Sequence, residues 1–284
     1  MKLLVTTRDL LLDAQRNKYA VGAFNVENME MVLAVLNAAE DTKSPVIMQT
    51  TPGTVKYAGA DIYFANIKTA AERAKVPVAC HLDHGSSFAI AVQAFRAGYT
   101  SIMIDGSKLP FDENVALTKS VVEICHSANI PVEAELGKVG GKEDDLNNGD
   151  NNPYTDPYEA KVFVERTGCD SLAVAVGTAH GVYKGTPQIN FDVLAKIRET
   201  VSIPLVLHGT SGVPDDQVIR CVSMGMCKVN YATDLRIAYT YGVKRYMKEN
   251  PGVFDPKKYG SYGMDEVTRY VTERMRVIGS CGRA

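Results

Sequence analysis

Tryptophan is absent from the 284 residues, and histidine occurs only five times. No excess of one charge is present either. Lys and Arg number 31 against 33 Asp and Glu, a formal net charge of −2. A chain so close to neutral carries no bulk field for nucleic acid or for an anionic membrane surface. No stretch approaches the roughly 18 apolar residues of a membrane span. The opening run Leu3-Leu4-Val5, soon broken by Arg8 and Asp9, is too short for a signal-peptide core. The six cysteines (Cys80, Cys125, Cys169, Cys221, Cys227 and Cys281) form no C-x-x-C pair. That spacing excludes a disulfide framework or a zinc knuckle and predicts free thiols in a reducing, cytoplasmic compartment. No G-x-G-x-x-G follows the first strand and no G-x-x-x-x-G-K-[ST] occurs, which disfavours dinucleotides and nucleoside triphosphates.

What is there is a repeated strand-then-helix unit. Strands are predicted at Ala20–Asn25, Pro45–Thr50, Val76–His81, Thr100–Asp105, Pro131–Glu135, Asp170–Val176, Ile203–His208 and Met226–Asn230. Helical patterns lie between them at Met29–Thr42, Asp61–Lys75, Phe88–Ala97, Glu113–Asn129, Tyr158–Gly168, Phe191–Val201 and Pro214–Gly225. Asn28, Asp61, Asp156 (before Pro157) and Asn190 read as N-caps, and Gly98, Gly168 and Gly225 as stops. Eight alternating units with no break in composition predict an α/β fold, a closed (β/α)8 TIM barrel. It would span residues 1–284 as one domain, with 234–284 as a C-terminal helical extension that covers the barrel or meets a partner subunit. An open doubly wound sheet is the alternative, weakened by the missing glycine motif. Gly137–Pro157, polar and rich in Gly and Asn, reads as a long mobile loop after strand five.

Active sites of such barrels lie at the C-terminal ends of the strands. Those ends read Asn25, Thr51, Asp83-His84, Asp105, Glu135, Gly177 with His180, His208, and Asn230 with Thr233. Three of the five histidines therefore fall at strand ends. Three neutral imidazoles from separate strands suit a catalytic zinc ion with an open position for substrate. Taken singly, each also reads as a satisfied polar residue at a barrel mouth. His126 sits in a helix and reads as structural, and His81 lies within strand three. The loop Gly209-Thr210-Ser211-Gly212 and the segment Asn230-Tyr231-Ala232-Thr233-Asp234 occupy the recurrent phosphate position of this fold. An ordinary tight turn is the plainer reading of that loop. Strand alternation puts Glu133 and Glu135 on one face, and Lys228 and Asn230 on one face. An interior Lys228 needs a partner, and Glu133 is the candidate. A desolvated lysine also suits a Schiff-base enzyme, though the three histidines would then lack a purpose.

The blocks Ala23-Phe24-Asn25, His81-Leu82-Asp83-His84-Gly85, Ser101 to Ser107, Val132-Glu133-Ala134-Glu135-Leu136-Gly137, Gly140 to Asp145, Gly177-Thr178-Ala179-His180-Gly181 and Leu207 to Gly212 follow in order along nearly the whole chain. Together they resemble the class II, zinc-dependent ketose-bisphosphate aldolases, the tagatose-1,6-bisphosphate branch first and the fructose-1,6-bisphosphate enzymes next. The resemblance implies that His84, His180 and His208 bind Zn²⁺, with Glu135 and Asp105 as secondary carboxylates near the metal. It gives Asp83 the proton of the C4 hydroxyl and Glu143 the proton at C3 of dihydroxyacetone phosphate. Gly181, Gly209, Ser211, Asn230 and Thr233 would hold the dihydroxyacetone-phosphate end. Asn25, Thr51, Thr210, Tyr231 and Ala232 complete the expected substrate surround. Carbonyls at Val176 and Gly177, with the Gly209 loop, resemble a site for Na⁺ or K⁺.

Three positions depart from the fructose pattern: Ala232 replaces Asp or Asn, Met264 replaces an Arg for the distal phosphate, and Thr210 replaces Ala or Gly. The expected partners are small sugar phosphates and further copies of the chain, as a homodimer or homotetramer, with no nucleic acid or membrane. A non-catalytic barrel subunit is the alternative of another class, opposed by the intact Asp83 and Glu143.

Overall fold

A computed structural model describes residues 3–137, 139–143, 146–148, 154–183, 185 and 187–284, with backbone alone for 140–143 and 146–148. The strands are β1 (Val21–Asn25), β2 (Val46–Thr50), β3 (Val78–Gly85), β4 (Ser101–Ile104), β5 (Val132–Leu136), β6 (Gly140–Glu143), β7 (Leu146–Asn148), β8 (Ser171–Val174), β9 (Ala179–His180), β10 (Leu205–Leu207) and β11 (Met226–Tyr231). The helices are α1 (Thr7–Asn17), α2 (Met29–Thr42), α3 (Pro52–Ala58), α4 (Ala60–Arg73), α5 (Phe88–Ala97), α6 (Phe111–His126), α7 (Pro157–Thr167), α8 (Phe191–Thr200), α9 (Asp215–Ser223), α10 (Thr233–Glu249) and α11 (Pro256–Val277). Eight strands close into a parallel barrel in the order β1–β11–β10–β8–β5–β4–β3–β2. All eight expected strands are present, and the open doubly wound sheet is excluded.

The helix punctuation follows side-chain chemistry. Asn28 Oδ1 accepts the Met31 N–H at 2.8 Å, Asp156 caps α7 ahead of Pro157, and Asn190 Oδ1 accepts the Val193 N–H. Asp61 does not cap α4. The helix starts at Ala60, and Gly59, with φ +96°, stands at the cap. Two helices were not expected. The short α3 is capped by Thr51 and begins at Pro52, and its seven residues are too few to show a period. In α1, Leu10, Leu11 and Ala14 pack beneath the barrel on Val21, Ile47 and Ala79, closing its N-terminal mouth.

Two sets of strand side chains part at the barrel wall. The outward set packs under the helices as the main core. The inward set is apolar at the bottom and includes Met103, Ala173 and Val206 higher up. Buried polar groups lie among and above them: His81, Glu133 and Lys228, then Asn25, Gln49, Asp83, His208 and Asn230. The tail forms the α10–α11 hairpin. α10 serves as the eighth barrel helix, and α11 lies along α2 with Val267, Val271 and Met275 buried. The segment after β5, expected as a loop, carries β6 and β7, which join β9 in a three-stranded sheet. Backbone pairing there outweighs a composition poor in apolar residues. Among the described residues no helix is long and apolar enough to cross a membrane.

Candidate active site

The C-terminal ends of the strands bring the three histidines together. His84 ends β3 in a left-handed conformation, φ +48°, with its N–H on Met103 Sδ. His208 follows β10, and His180 belongs to β9. Ring centroids lie 4.6 Å apart for His84–His208, 4.8 Å for His84–His180 and 5.9 Å for His180–His208. One ring nitrogen from each lies within 4.8 Å of the others.

The partners of the far nitrogens assign the tautomers. His84 Nδ1 faces Asp105 Oδ2 at 2.9 Å, and His208 Nε2 faces Glu133 Oε1 at 2.9 Å. Both outer nitrogens therefore carry protons. The inner pair, His84 Nε2 and His208 Nδ1, then point lone pairs at each other across 2.8 Å. Two lone pairs at that distance call for a cation between them, so the donor set fits a metal ion bound by neutral imidazoles. Glu135 Oε2 stands 3.6 Å from His84 Nδ1, and His84, Asp105 and Glu135 form a second set of metal-capable groups. Burial alone would raise the Asp105 carboxyl, but the hydrogen bond and charge of His84, with the Ser107 N–H, hold it well below the usual range. Burial likewise opposes ionisation of Glu133, and Lys228 and His208 overcome it.

Asp83 sits beside His84 and is almost fully buried. Each of its oxygens takes an amide: Oδ2 from Asn25 Nδ2 at 2.8 Å and Oδ1 from Asn230 Nδ2 at 3.1 Å. Gln49 Nε2 donates to Asn25 Oδ1 at 2.8 Å, which fixes the orientation of that amide. A cavity opens above, walled by Asn25, His180, Gly181, His208, Gly209, Thr210, Ser211, Asn230, Ala232 and Thr233. Every wall residue belongs to the set expected from the sequence. Gly209 has φ +64°, and a Cβ there would stand 2.7 Å from the Ala179 carbonyl carbon, so only glycine fits. Thr233 opens the 17-residue α10, so the N-terminus of that helix also borders the cavity.

A family model described as class-II fructose-bisphosphate aldolase matches residues 5–283. The chain belongs to that family. The aldolase is similar to the YdjI aldolase of Escherichia coli K12, at 40% identity and TM-score 0.88, over 99% of each chain. It is also similar to a Coccidioides immitis protein solved as a candidate fructose-1,6-bisphosphate aldolase, at 30% identity and TM-score 0.87, over 97% of this chain and 96% of that one. A Campylobacter jejuni fructose-bisphosphate aldolase shares the fold at 22% identity, TM-score 0.85, over 99% of this chain and 97% of the other.

Two expected substrate contacts lie elsewhere in the aldolase. Tyr231 follows the inward Asn230, so alternation turns it outward. Its ring stacks on Phe24 at 5.6 Å and meets Tyr270 edge-on, inside the helical layer. Thr51 caps α3, its hydroxyl 3.1 Å from Thr54 Oγ1, and is not part of the cavity wall. Val176 and Gly177 carry the chain from β8 toward β9, and the Val176 carbonyl accepts the Asn190 N–H at 2.8 Å. Glu143 ends β6, whose Gly141 pairs with His180; its side chain lies outside the described residues. Ala232 presents only a methyl group to the cavity, and Met264 packs against the core from α11.

Two residues of the aldolase's site were missed in the sequence. Gln49 is one; strand parity with Ile47 points it inward. Tyr183 is the other. Its hydroxyl accepts the Ala179 N–H at 2.6 Å and donates to the Gly209 carbonyl at 2.8 Å, tying the His180 strand to the glycine loop. An aromatic three residues past a ligand histidine was its only signal. The expected Lys228–Glu133 pair is present at 2.9 Å. His126, read as structural, bonds Asp170 at 2.7 Å, where Arg8 of α1 also pairs.

Proposed function

We propose that this aldolase reversibly cleaves a ketohexose 1,6-bisphosphate, with tagatose 1,6-bisphosphate favoured, to dihydroxyacetone phosphate and glyceraldehyde 3-phosphate. His84, His180 and His208 hold zinc. The observation that carries this reading is the convergence of these three imidazoles beside a buried, doubly hydrogen-bonded Asp83 and a glycine loop. When bound, zinc supplies Lewis-acid stabilisation of the negative charge that develops as C3–C4 breaks. Asp83 takes the C4 hydroxyl proton as that oxygen becomes the aldehyde. Asn25 and Asn230 hold its carboxylate oxygens toward the substrate and release them as it protonates. Glu143 returns a proton to C3 of the enediolate, so acid and base work is divided between two carboxylates. Amides of the Gly209 loop, the Ser211 hydroxyl and the N-terminus of α10 hold the C1 phosphate.

The non-polar Ala232 in the cavity wall supports the tagatose preference over fructose, and equally supports a related phosphorylated keto sugar with a different distal end. Exposed Ile237, Tyr241 and Phe254 on the α10–α11 hairpin support a homodimer or homotetramer. The enzyme would work in the cytoplasm.

The test is kcat/KM on tagatose and fructose 1,6-bisphosphates, with zinc-loaded and EDTA-stripped protein. Zinc-dependent cleavage with tagatose preferred supports the proposal. Equal cleavage without metal refutes the zinc mechanism, and fructose preference refutes the substrate assignment. His180→Ala should lose metal and activity together.

A further inference from the structure

Beneath the metal-capable histidines lies an ion pair that touches neither the cavity nor the position of any substrate atom. Lys228, inside β11, is completely buried, and Glu133, inside β5, is 2% exposed. Lys228 Nζ stands 2.9 Å from Glu133 Oε2, while the other carboxylate oxygen, Oε1, stands 2.9 Å from His208 Nε2. Lys228 is held from its other side as well. Its Nζ faces His81 Nε2 at 3.4 Å, His81 Nδ1 lies 2.8 Å from Ser101 Oγ, and Ser101 Oγ lies 2.8 Å from Thr7 Oγ1. The chain of contacts thus runs from α1, which closes the bottom of the barrel, to His208 at the top.

We propose that Lys228 is a positioning residue for the metal centre: it anchors Glu133, and Glu133 fixes the tautomer and ring plane of His208 so that Nδ1 faces the metal. This inference rests on the zinc reading above. A glutamate has three rotatable bonds, and a carboxylate with one oxygen unheld can swing away from the imidazole. Tying Oε2 to a buried ammonium leaves Oε1 one direction, that of His208. A ligand histidine whose second nitrogen donates to a carboxylate is oriented and made more basic, and removing such a partner weakens metal binding 10–100-fold. The same lysine offers no Schiff-base role, because Glu133 and His81 occupy it and the cavity wall does not include it.

Lys228→Met alone strands a buried carboxylate and threatens folding. The test therefore uses the neutral, volume-matched double variant Lys228→Met/Glu133→Gln in the full chain. Zinc affinity is measured by competition with a chromogenic chelator, the metal-free melting temperature by calorimetry, and ligand geometry by the visible spectrum of cobalt-loaded protein. The expected result is zinc binding weakened 10–100-fold and a changed cobalt spectrum, with the metal-free melting temperature near wild type. A folded double variant that binds zinc within twofold of wild type, with the same cobalt bands, overturns the inference and leaves the aldolase reading intact. A wild-type chain that takes up no zinc overturns both. A measurement needing no variant is nitrogen-15 NMR of histidine-labelled, zinc-loaded wild type. It should show one metal-bound histidine with a slowly exchanging Nε2 proton, and the absence of that signal also overturns the inference.

Discussion

Tyr183→Phe isolates one hydroxyl that joins two parts of the site. The phenol oxygen bridges the Ala179 N–H at 2.6 Å and the Gly209 carbonyl at 2.8 Å. Burial pushes the Tyr183 phenol above its usual value of 10, so it keeps its proton and donates to Gly209. Phenylalanine keeps the ring and its packing but leaves both backbone groups unpaired. Each hydrogen bond contributes about 1 kcal/mol net, so the pair contributes about 2 kcal/mol. At 1.4 kcal/mol per tenfold, the ceiling is a roughly 25-fold loss of affinity. Tyr183 is only half-buried, and water replaces part of each bond, so about tenfold is expected. The loss should fall on the phosphate loop and hence on dihydroxyacetone phosphate. In the condensation direction, the KM for dihydroxyacetone phosphate should rise about tenfold while the KM for the aldehyde stays within twofold. Equal changes in both KM values would refute the assignment of the loop to that half of the substrate. No change in either KM or in melting temperature would show that the bridge has no energetic weight.

Gly209→Ala should be harsher, because a non-glycine residue at φ +64° with a Cβ 2.7 Å from the Ala179 carbonyl carbon costs on the order of 1–3 kcal/mol. The melting temperature should fall, and inorganic phosphate binding, followed by calorimetry, should be lost. Glu143→Ala should lower kcat by about 10²–10⁴ with zinc content unchanged by metal analysis; unaltered hydrogen exchange at C3 of dihydroxyacetone phosphate would remove Glu143 from the mechanism. His81 is held neutral, its pKa driven well below 6.5 by burial first and by Lys228 second. A pKa depressed on folding gives stability that is full above the unfolded value and falls as pH drops through it. Metal-free protein should therefore lose up to about 1.4 kcal/mol per pH unit below 6.5 in urea titrations, with a shallower slope in His81→Asn. Equal slopes in the two proteins would refute the account of His81.

The barrel was legible because its strands are buried on both faces and its helices end in Asn, Asp, Pro and Gly at the required places. α1 and α3 were not, because their signals depend on what they pack against: Leu10 and Leu11 mean little until a barrel mouth lies above them. The site divides in the same way. His84, His180 and His208 are rare residues at strand ends, and alternation carries Glu133 and Lys228 inward together, so their pairing follows from sequence alone. Alternation also excludes Tyr231, since a residue beside an inward Asn230 must face the helices, and its inclusion among the substrate contacts put motif proximity ahead of that geometry. Gln49 and Tyr183 belong to a third kind. Neither bears a ligand or a charge, and each matters only through the atoms it bridges, Asn25 Oδ1 for one and the Ala179 and Gly209 backbone for the other. A linear sequence names the groups that do chemistry more readily than those that aim them, because aiming is a property of pairs of segments distant in the chain. Variants of the aiming residues are therefore the sharper experiments: losing a zinc ligand abolishes metal and activity together, whereas Tyr183→Phe and Lys228→Met/Glu133→Gln each separate one function from the other.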